Sequence, residues 1–288
     1  MIAASDPAQT IAFQGEPGAY SDLACRHVFP QMASLPCFGF EEALAAVREG
    51  RAALGMIPID NSVAGRVADI HHLMPGSGLF IVGEHFEPVH HHLLALPGTT
   101  LDAVRVVRSH VHALGQCRDF IRAHGLQPVV RADTAGSAAE VKALGDPTIA
   151  AIASELAGEI YGLVSLAENI EDAEHNTTRF VIMSREPQRT ARGGPTVTTF
   201  VFNVRNVPAA LYKALGGFAT NGINMTKLES YMVGGTFTAT QFYADVEAHP
   251  DDRPLKLALE ELEFFSTEVK ILGVYPAHPQ RAADAKPK

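Results

Sequence analysis

Along the first 187 positions, short apolar runs alternate with stretches whose apolar residues recur at helical spacing. The runs predict strands over 11–15, 53–59, 79–84, 89–96, 104–108, 128–130, 148–153 and 163–166, with a further buried strand at 180–183. The periodic stretches predict helices over 22–29 and 41–48, from an N-cap at Ser109 to His124, from 133 onward, and over 154–161. This alternation runs through twice in blocks of similar length, which predicts two doubly wound α/β lobes around one cleft, as in periplasmic binding proteins. A polar linker at 188–195 holds Arg189, Gly193 and Gly194. Beyond it the order changes to strand 196–204, helix 208–220, strands 223–232 and 236–246, helix 253–264 and strand 268–274. The two middle strands would turn at Gly234-Gly235, and the whole reads as an α+β, ferredoxin-like βαββαβ unit. The expected division is a 1–187 domain with lobes 10–90 plus 170–187 and 91–169, the linker, a 196–276 domain, and a disordered tail at 277–288.

Composition narrows the function classes. With 288 residues, 47% hydrophobic and 19% charged, the chain has material for two or three cores. Its formal charge of -9 comes without a basic patch, which excludes nucleic acid as a partner. Cys25, Cys37 and Cys117 are scattered without CxxC spacing, as expected in a reducing compartment. No apolar run is long enough to cross a bilayer and the start lacks a secretory leader, so a cytoplasmic protein without a membrane partner is expected.

The candidate chemistry sits where apolar runs meet polar clusters. At the head of the 180–183 strand, Thr178 offers a hydroxyl and Arg179 a guanidinium that can grip a carboxylate, a pair suited to an anionic substrate that must lose a hydroxyl. Asp60, Asn61 and Ser62 follow a strand, at the edge where open α/β sheets bind ligands. Ser109 and His110 follow another, and Thr134 opens a helix where an anion is welcome. The glycines of Gly15-Glu16-Pro17-Gly18 can expose amides at a helix start, but neither a P-loop nor GxGxxG is present. In His90-His91-His92 only the outer pair would share a strand face, without a partner at metal-site spacing, so no metal is expected.

Five segments in order resemble the prephenate dehydratase family: 15–21, Pro58 to Val67, Ser109 to Cys117, Ala150 to Asp172, and Asn176-Thr177-Thr178-Arg179-Phe180. The resemblance spans about 11–276, and a fused chorismate mutase is not expected. It implies a carbon–oxygen lyase that turns prephenate into phenylpyruvate, carbon dioxide and water in phenylalanine biosynthesis, without cofactor or metal. On this reading Thr178 is the donor to the leaving hydroxyl, Arg179 a carboxylate clamp and Phe180 their packing support. Asn61, Ser62, Ser109, His110 and Thr134 bind substrate, with His110 as an alternative proton source.

The C-terminal unit, with Asn221 to Ser230 as its signature, resembles the family's regulatory ACT domain. That implies a homodimer or homotetramer binding phenylalanine through Ala210, Leu211, Asn224, Glu229 and Ser230. Tyr231-Met232 replaces the family's Arg-Pro, Ala209 stands at its Gly-Ala-Leu helix start, Asp60 replaces its Glu, and Val111-His112 its Pro-Gln. Arogenate dehydratase is the alternative enzyme, and a non-catalytic small-molecule sensor the alternative outside enzymology.

Overall fold

The computed structural model describes residues 6–188, 190–205, 207–232 and 239–284. Arg189 and the Gly234-Gly235 turn lie outside the described residues. The chain forms two compact units, one running to Ile70 and resuming over His85–Phe180, the other combining His71–Glu84 with the chain from Val181 onward.

In chain order the first stretch supplies β1 (Thr10–Gln14), α1 (Tyr20–Val28), β2 (Ala33–Cys37), α2 (Phe40–Arg48), β3 (Leu54–Asn61), β4 (Gly65–Arg66) and α3 (Ala68–Leu73). Then come β5 (Phe80–Pro88), β6 (His92–Ala95), β7 (Val106–His110), α4 (Val111–Gln116), α5 (Arg118–Ala123), β8 (Gln127–Arg131), α6 (Thr134–Leu144), β9 (Ile149–Ala153), α7 (Glu155–Tyr161), β10 (Val164–Ala167) and β11 (Thr177–Ser184). The first unit holds two α/β layers, as expected. In one, β1 lies between β2 and β3, parallel to both, and β11 neighbours β3. The other has the order β10-β6-β9-β7-β8, with β7 parallel to β8 and β9. Buried Val107, Leu114, Ile121 and Ile152 form part of the core of this second layer.

Local differences from the expected elements have physical causes. The hydrophobic pattern does not reveal β2, because it is a half-exposed edge strand carrying Pro36, and edges are where a strand tolerates proline. The expected helix to His124 breaks at Cys117, and the Asp172 carboxylate accepts the amides of Arg118 (3.0 Å) and Asp119 (3.2 Å) to start α5 afresh. The cap of α4 is His110, whose ring accepts from His112 N at 3.3 Å. Ser109 is therefore not the cap; it lies inside β7, one residue before its end, fully buried, and donates to Ile152 O at 2.6 Å.

The second unit contains β12 (Thr196–Val204), α8 (Ala210–Thr220), β13 (Met225–Met232), β14 (Ala239–Val246), α9 (Arg253–Phe265), β15 (Ser266–Pro276) and α10 (Pro279–Asp284). Its antiparallel order β13-β14-β12-β15 places the first strand of the βαββαβ repeat between the third and fourth, which is the ferredoxin-like arrangement. Phe200, Phe202, Phe218 and Leu262 fill the core between sheet and helices. Each such side chain contributes about 1.5–3 kcal/mol by leaving water. Segment 71–84 belongs here rather than with the first lobe, because β15 pairs with β5 through Gly273 and Ile81. A Cβ on Gly273 would stand 2.6 Å from the Ile81 Cβ, so only glycine allows the approach. At the C-terminus, positions 279–284 of the segment expected to be a disordered tail form α10, which brings Arg281 to Glu84 at 2.6 Å.

Ala209, at the entry to α8, has φ +62°, a left-handed conformation that costs an L-residue about 1–2 kcal/mol. Ala209→Gly relieves that strain but adds about 0.5–1 kcal/mol of unfolded-chain freedom. A net gain of up to about 1.5 kcal/mol is expected by the same balance, read as a higher urea midpoint at unchanged slope.

Candidate functional site

The ends of β3 and β11 bring Asn61 to Thr178 although 117 positions separate them. The Asn61 amide has a determined orientation. Its Oδ1 accepts the backbone amides of Val63 (3.0 Å) and Ala64 (2.7 Å), which can only donate. Its Nδ2 therefore faces Asn176 Oδ1 at 2.9 Å and Thr178 Oγ1 at 3.0 Å. Since Thr178 Oγ1 accepts from Asn61, its own proton is left for another acceptor, and none is found among the described residues. Asn176 is buried, and its Nδ2 likewise has no acceptor among them. Ser62 donates to His175 O (2.6 Å) and accepts from Thr177 N (2.9 Å), fastening the strand end beside Thr178.

The same logic runs backward through the second lobe. Gln116 Nε2 reaches Asn61 Oδ1 at 3.4 Å, which turns Gln116 Oε1 toward His91 Nε2 at 2.8 Å. The His91 proton then sits on Nε2 and leaves Nδ1 an acceptor, and the single proton of the Tyr20 hydroxyl is shared between that nitrogen and His90 O, each at 2.7 Å. Burial pushes the His91 pKa below its ordinary value, only partly offset by Gln116, so the ring is neutral as this chain requires. Burial also raises the Tyr20 pKa well above the usual phenol value, keeping it a donor. Burial opposes the charge on Glu171, yet bonds from His91 N (2.8 Å) and the His90 ring (2.8 Å) hold its carboxyl below the usual range. A donor chain thus runs His91, Gln116, Asn61, Thr178, with the Tyr20 hydroxyl beside the His91 ring.

A pH dependence follows. The unfolded chain protonates His91 near pH ~6.5, whereas the folded chain resists, so the stability tied to the neutral ring is complete above that pH and is lost as pH falls toward the lowered folded value. Urea unfolding of wild type and His91→Gln is expected to show the wild-type advantage shrinking between pH 7 and 5.

Other expected site residues are placed differently. Strand alternation puts Arg179 on the face opposite Thr178, just as Asp60 lies opposite Asn61. Arg179 is buried, with its guanidinium 3.7 Å from the Asp60 carboxylate. This does not support the carboxylate clamp: Arg179 ties β11 to β3 from behind. Phe180 is buried, as its packing role requires. Ser109 is spent on Ile152, which removes it as a ready ligand donor. Burial and neighbouring His112 lower the His110 pKa, making this ring a neutral hydrogen-bonding group rather than a store of acid. Thr134 is the first residue of α6, directly after its cap Asp133.

The glycine turn does not offer its amide to an anion: Gly18 N donates to buried Asp22 at 2.9 Å. Gly18 has φ +88°, and a Cβ there would lie 2.7 Å from Ala157 Cα. Glycine lets this turn dock on α7, where Ser154 and Tyr161 bond Gly18 O and Pro17 O at 2.5 and 3.0 Å. Gln116, Asn176, His91 and Tyr20 were missed as site residues. Only the polar residues inside the quoted segments could have pointed to Gln116, Asn176 and Tyr20.

In the second unit, Asn224 donates to Glu247 at 2.7 Å and Glu229 lies 3.4 Å from Lys227. Ala210 is buried and Leu211 packs against the core, while Ser230 is exposed on the strand face opposite Glu229. Tyr231 stacks on buried His71 with centroids 5.1 Å apart.

The family model for prephenate dehydratase matches residues 11–188. A bifunctional N-acyl-homoserine lactone acylase/prephenate dehydratase of Komagataeibacter europaeus is 56% identical over 94% of this chain and 97% of its own length. The chloroplastic arogenate dehydratase/prephenate dehydratase 1 of Arabidopsis thaliana is 39% identical over 92% of this chain and 71% of its own. The crystal structure of prephenate dehydratase from Arthrobacter aurescens in complex with L-Phe aligns with TM-score 0.86 and 32% identity, covering 97% of this chain and 92% of that one.

Proposed function

This chain belongs to the prephenate dehydratase family, and from that premise we propose that it converts prephenate to phenylpyruvate with Thr178 as hydrogen-bond donor to the departing hydroxyl. The carrying observation is that Asn61, oriented by two backbone amides, occupies the acceptor side of Thr178 and leaves its proton to give. As the ring C–O bond breaks, the electron pair of the C–carboxylate bond enters the ring, carbon dioxide leaves and aromaticity is restored. The hydroxide takes up one proton and becomes water. Donor assistance of this kind is worth about 10²- to 10⁴-fold.

Behind Thr178 stand the Asn61 and Gln116 amides, which orient a hydrogen bond but do not readily pass a proton onward. We therefore assign Thr178 as an oriented donor, with the net proton drawn from solvent. The Asn176 amide donor, buried without an acceptor among the described residues, is a second candidate contact for a substrate oxygen. Asn61 and Ser62 position the β11 end, and His110 and Thr134 are proposed substrate contacts from the second lobe.

Arogenate differs by an amino group in place of a keto group and loses the same fragments, so preference for prephenate is part of the proposal. We read the C-terminal βαββαβ unit as an ACT domain that joins chains into a homodimer or homotetramer and binds phenylalanine. The Arthrobacter complex with L-Phe supports this reading, and Tyr231 at the family's arginine position makes a weaker response the expected result. A second activity, hydrolysis of N-acyl-homoserine lactones, is favoured by 56% identity to the Komagataeibacter protein and by a cavity of about 660 Å³ that Thr178 does not line.

Purified protein is incubated separately with prephenate, arogenate and an N-acyl-homoserine lactone, with and without phenylalanine. Faster formation of phenylpyruvate from prephenate than of phenylalanine from arogenate supports the main proposal, and the reverse order overturns the substrate assignment. No turnover of either moves the sensor reading to first place. Release of free homoserine lactone decides the second activity.

A further inference from the structure

We propose that His27, His85 and Glu87 form a binding site for a divalent transition-metal ion of the zinc type. The period-2 alternation of β5 places His85 and Glu87 on one face, and the last turn of α1 brings His27 to them. Glu87 Oε2 lies 2.9 Å from His27 Nδ1 and 2.8 Å from His85 Nε2, and one ligand atom from each of the three residues falls within 4.8 Å of the others. Two imidazoles and one carboxylate are a donor set that borderline cations favour over calcium or magnesium.

Charge and space point the same way. The Glu87 carboxylate is only 4% exposed, and its partners among the described residues are these two imidazoles, with no lysine or arginine. A buried carboxylate needs a positive partner, and a divalent ion held with neutral imidazoles supplies it. All three residues line the cavity of about 660 Å³, so a fourth position can be taken by water or a ligand. Around a tetrahedral ion the donor atoms stand about 3.3 Å apart, as bonds near 2.0–2.1 Å require. The present 2.8–2.9 Å separations must therefore open by about half an ångström, within reach of the exposed His27 side chain. The cluster is separate from Thr178, and the inference does not depend on either proposed activity.

The test uses full-length protein freed of metal with a chelator, loaded with zinc chloride, gel-filtered and assayed for metal by mass spectrometry, alongside calorimetric titration. One zinc per chain is expected. Glu87→Gln and His27→Ala should each lower the affinity by more than the about 10- to 100-fold that loss of an outer-sphere partner costs. His90→Ala, which alters the cavity wall but no proposed ligand, should retain the ion. Cobalt(II) in place of zinc should give the intense visible absorption of a four-coordinate site, lost in His27→Ala. No retained ion in wild type, or equal retention in both ligand variants, overturns the site and leaves a hydrogen-bonded triad. His27 is more than half exposed, so circular dichroism matching wild type separates a lost ligand from a lost fold.

Discussion

Thr178→Val will lower kcat for the dehydration by about 10²- to 10⁴-fold, with KM changed only a few-fold. Valine matches threonine in shape, so the strand and the buried Phe180 beside it stay packed. What it removes is the hydroxyl that accepts from Asn61 Nδ2 at 3.0 Å and turns its own proton outward. Because that proton matters only as the departing hydroxyl gathers charge, the loss falls on turnover rather than on ground-state binding. Thr178→Ser keeps the hydroxyl and should recover most of the rate. Single-turnover measurement at saturating substrate reads the chemical step directly, and undiminished turnover in the valine variant would remove Thr178 from the mechanism.

Arg281→Ala is expected to destabilise the second unit by about 3–5 kcal/mol, the range for uncoupling a buried charge. The guanidinium meets Glu84 in a fork, at 2.6 and 2.9 Å, and lies 3.5 Å from Asp245. Both carboxylates are fully buried, and Asp245 also accepts from Thr199, whose hydroxyl meets that of Tyr275. Removing the guanidinium takes a charged partner from two carboxylates whose side chains are fully buried. Arg281→Lys restores the charge without the fork and should fall between the two. Urea unfolding followed by tyrosine fluorescence measures the difference, and a cost under about 1 kcal/mol would show that α10 is held by packing instead.

Much of the fold was legible because it follows from local pattern. The apolar run at 196–204 is β12 to the residue, and the periodic stretch at 253–264 is α9 to within one position. Ordered polar segments likewise led to the family, since each stands beside an apolar run of recognisable period. Where local pattern was thin the reading failed: β2 carries an edge proline, and α10 is only six residues long, held by ion pairs with residues far back in the chain.

The candidate site divides along the same line. The sequence by itself determined that Asn61 follows one apolar strand, that Thr178 stands at the head of another and that histidines cluster near 90, because those facts are local. Only the tertiary structure decided what each side chain does. Adjacent strands present alternate faces, so Thr178 meets Asn61 while Arg179 turns to Asp60. His91, the member of the triplet that the metal argument set aside, orients the amide chain. The metal-like geometry appears instead at His27, His85 and Glu87, drawn from a helix and a strand 60 positions apart. Hydrogen-bond direction and ligand grouping depend on distances of a few ångströms between remote segments, and no period along the chain encodes them.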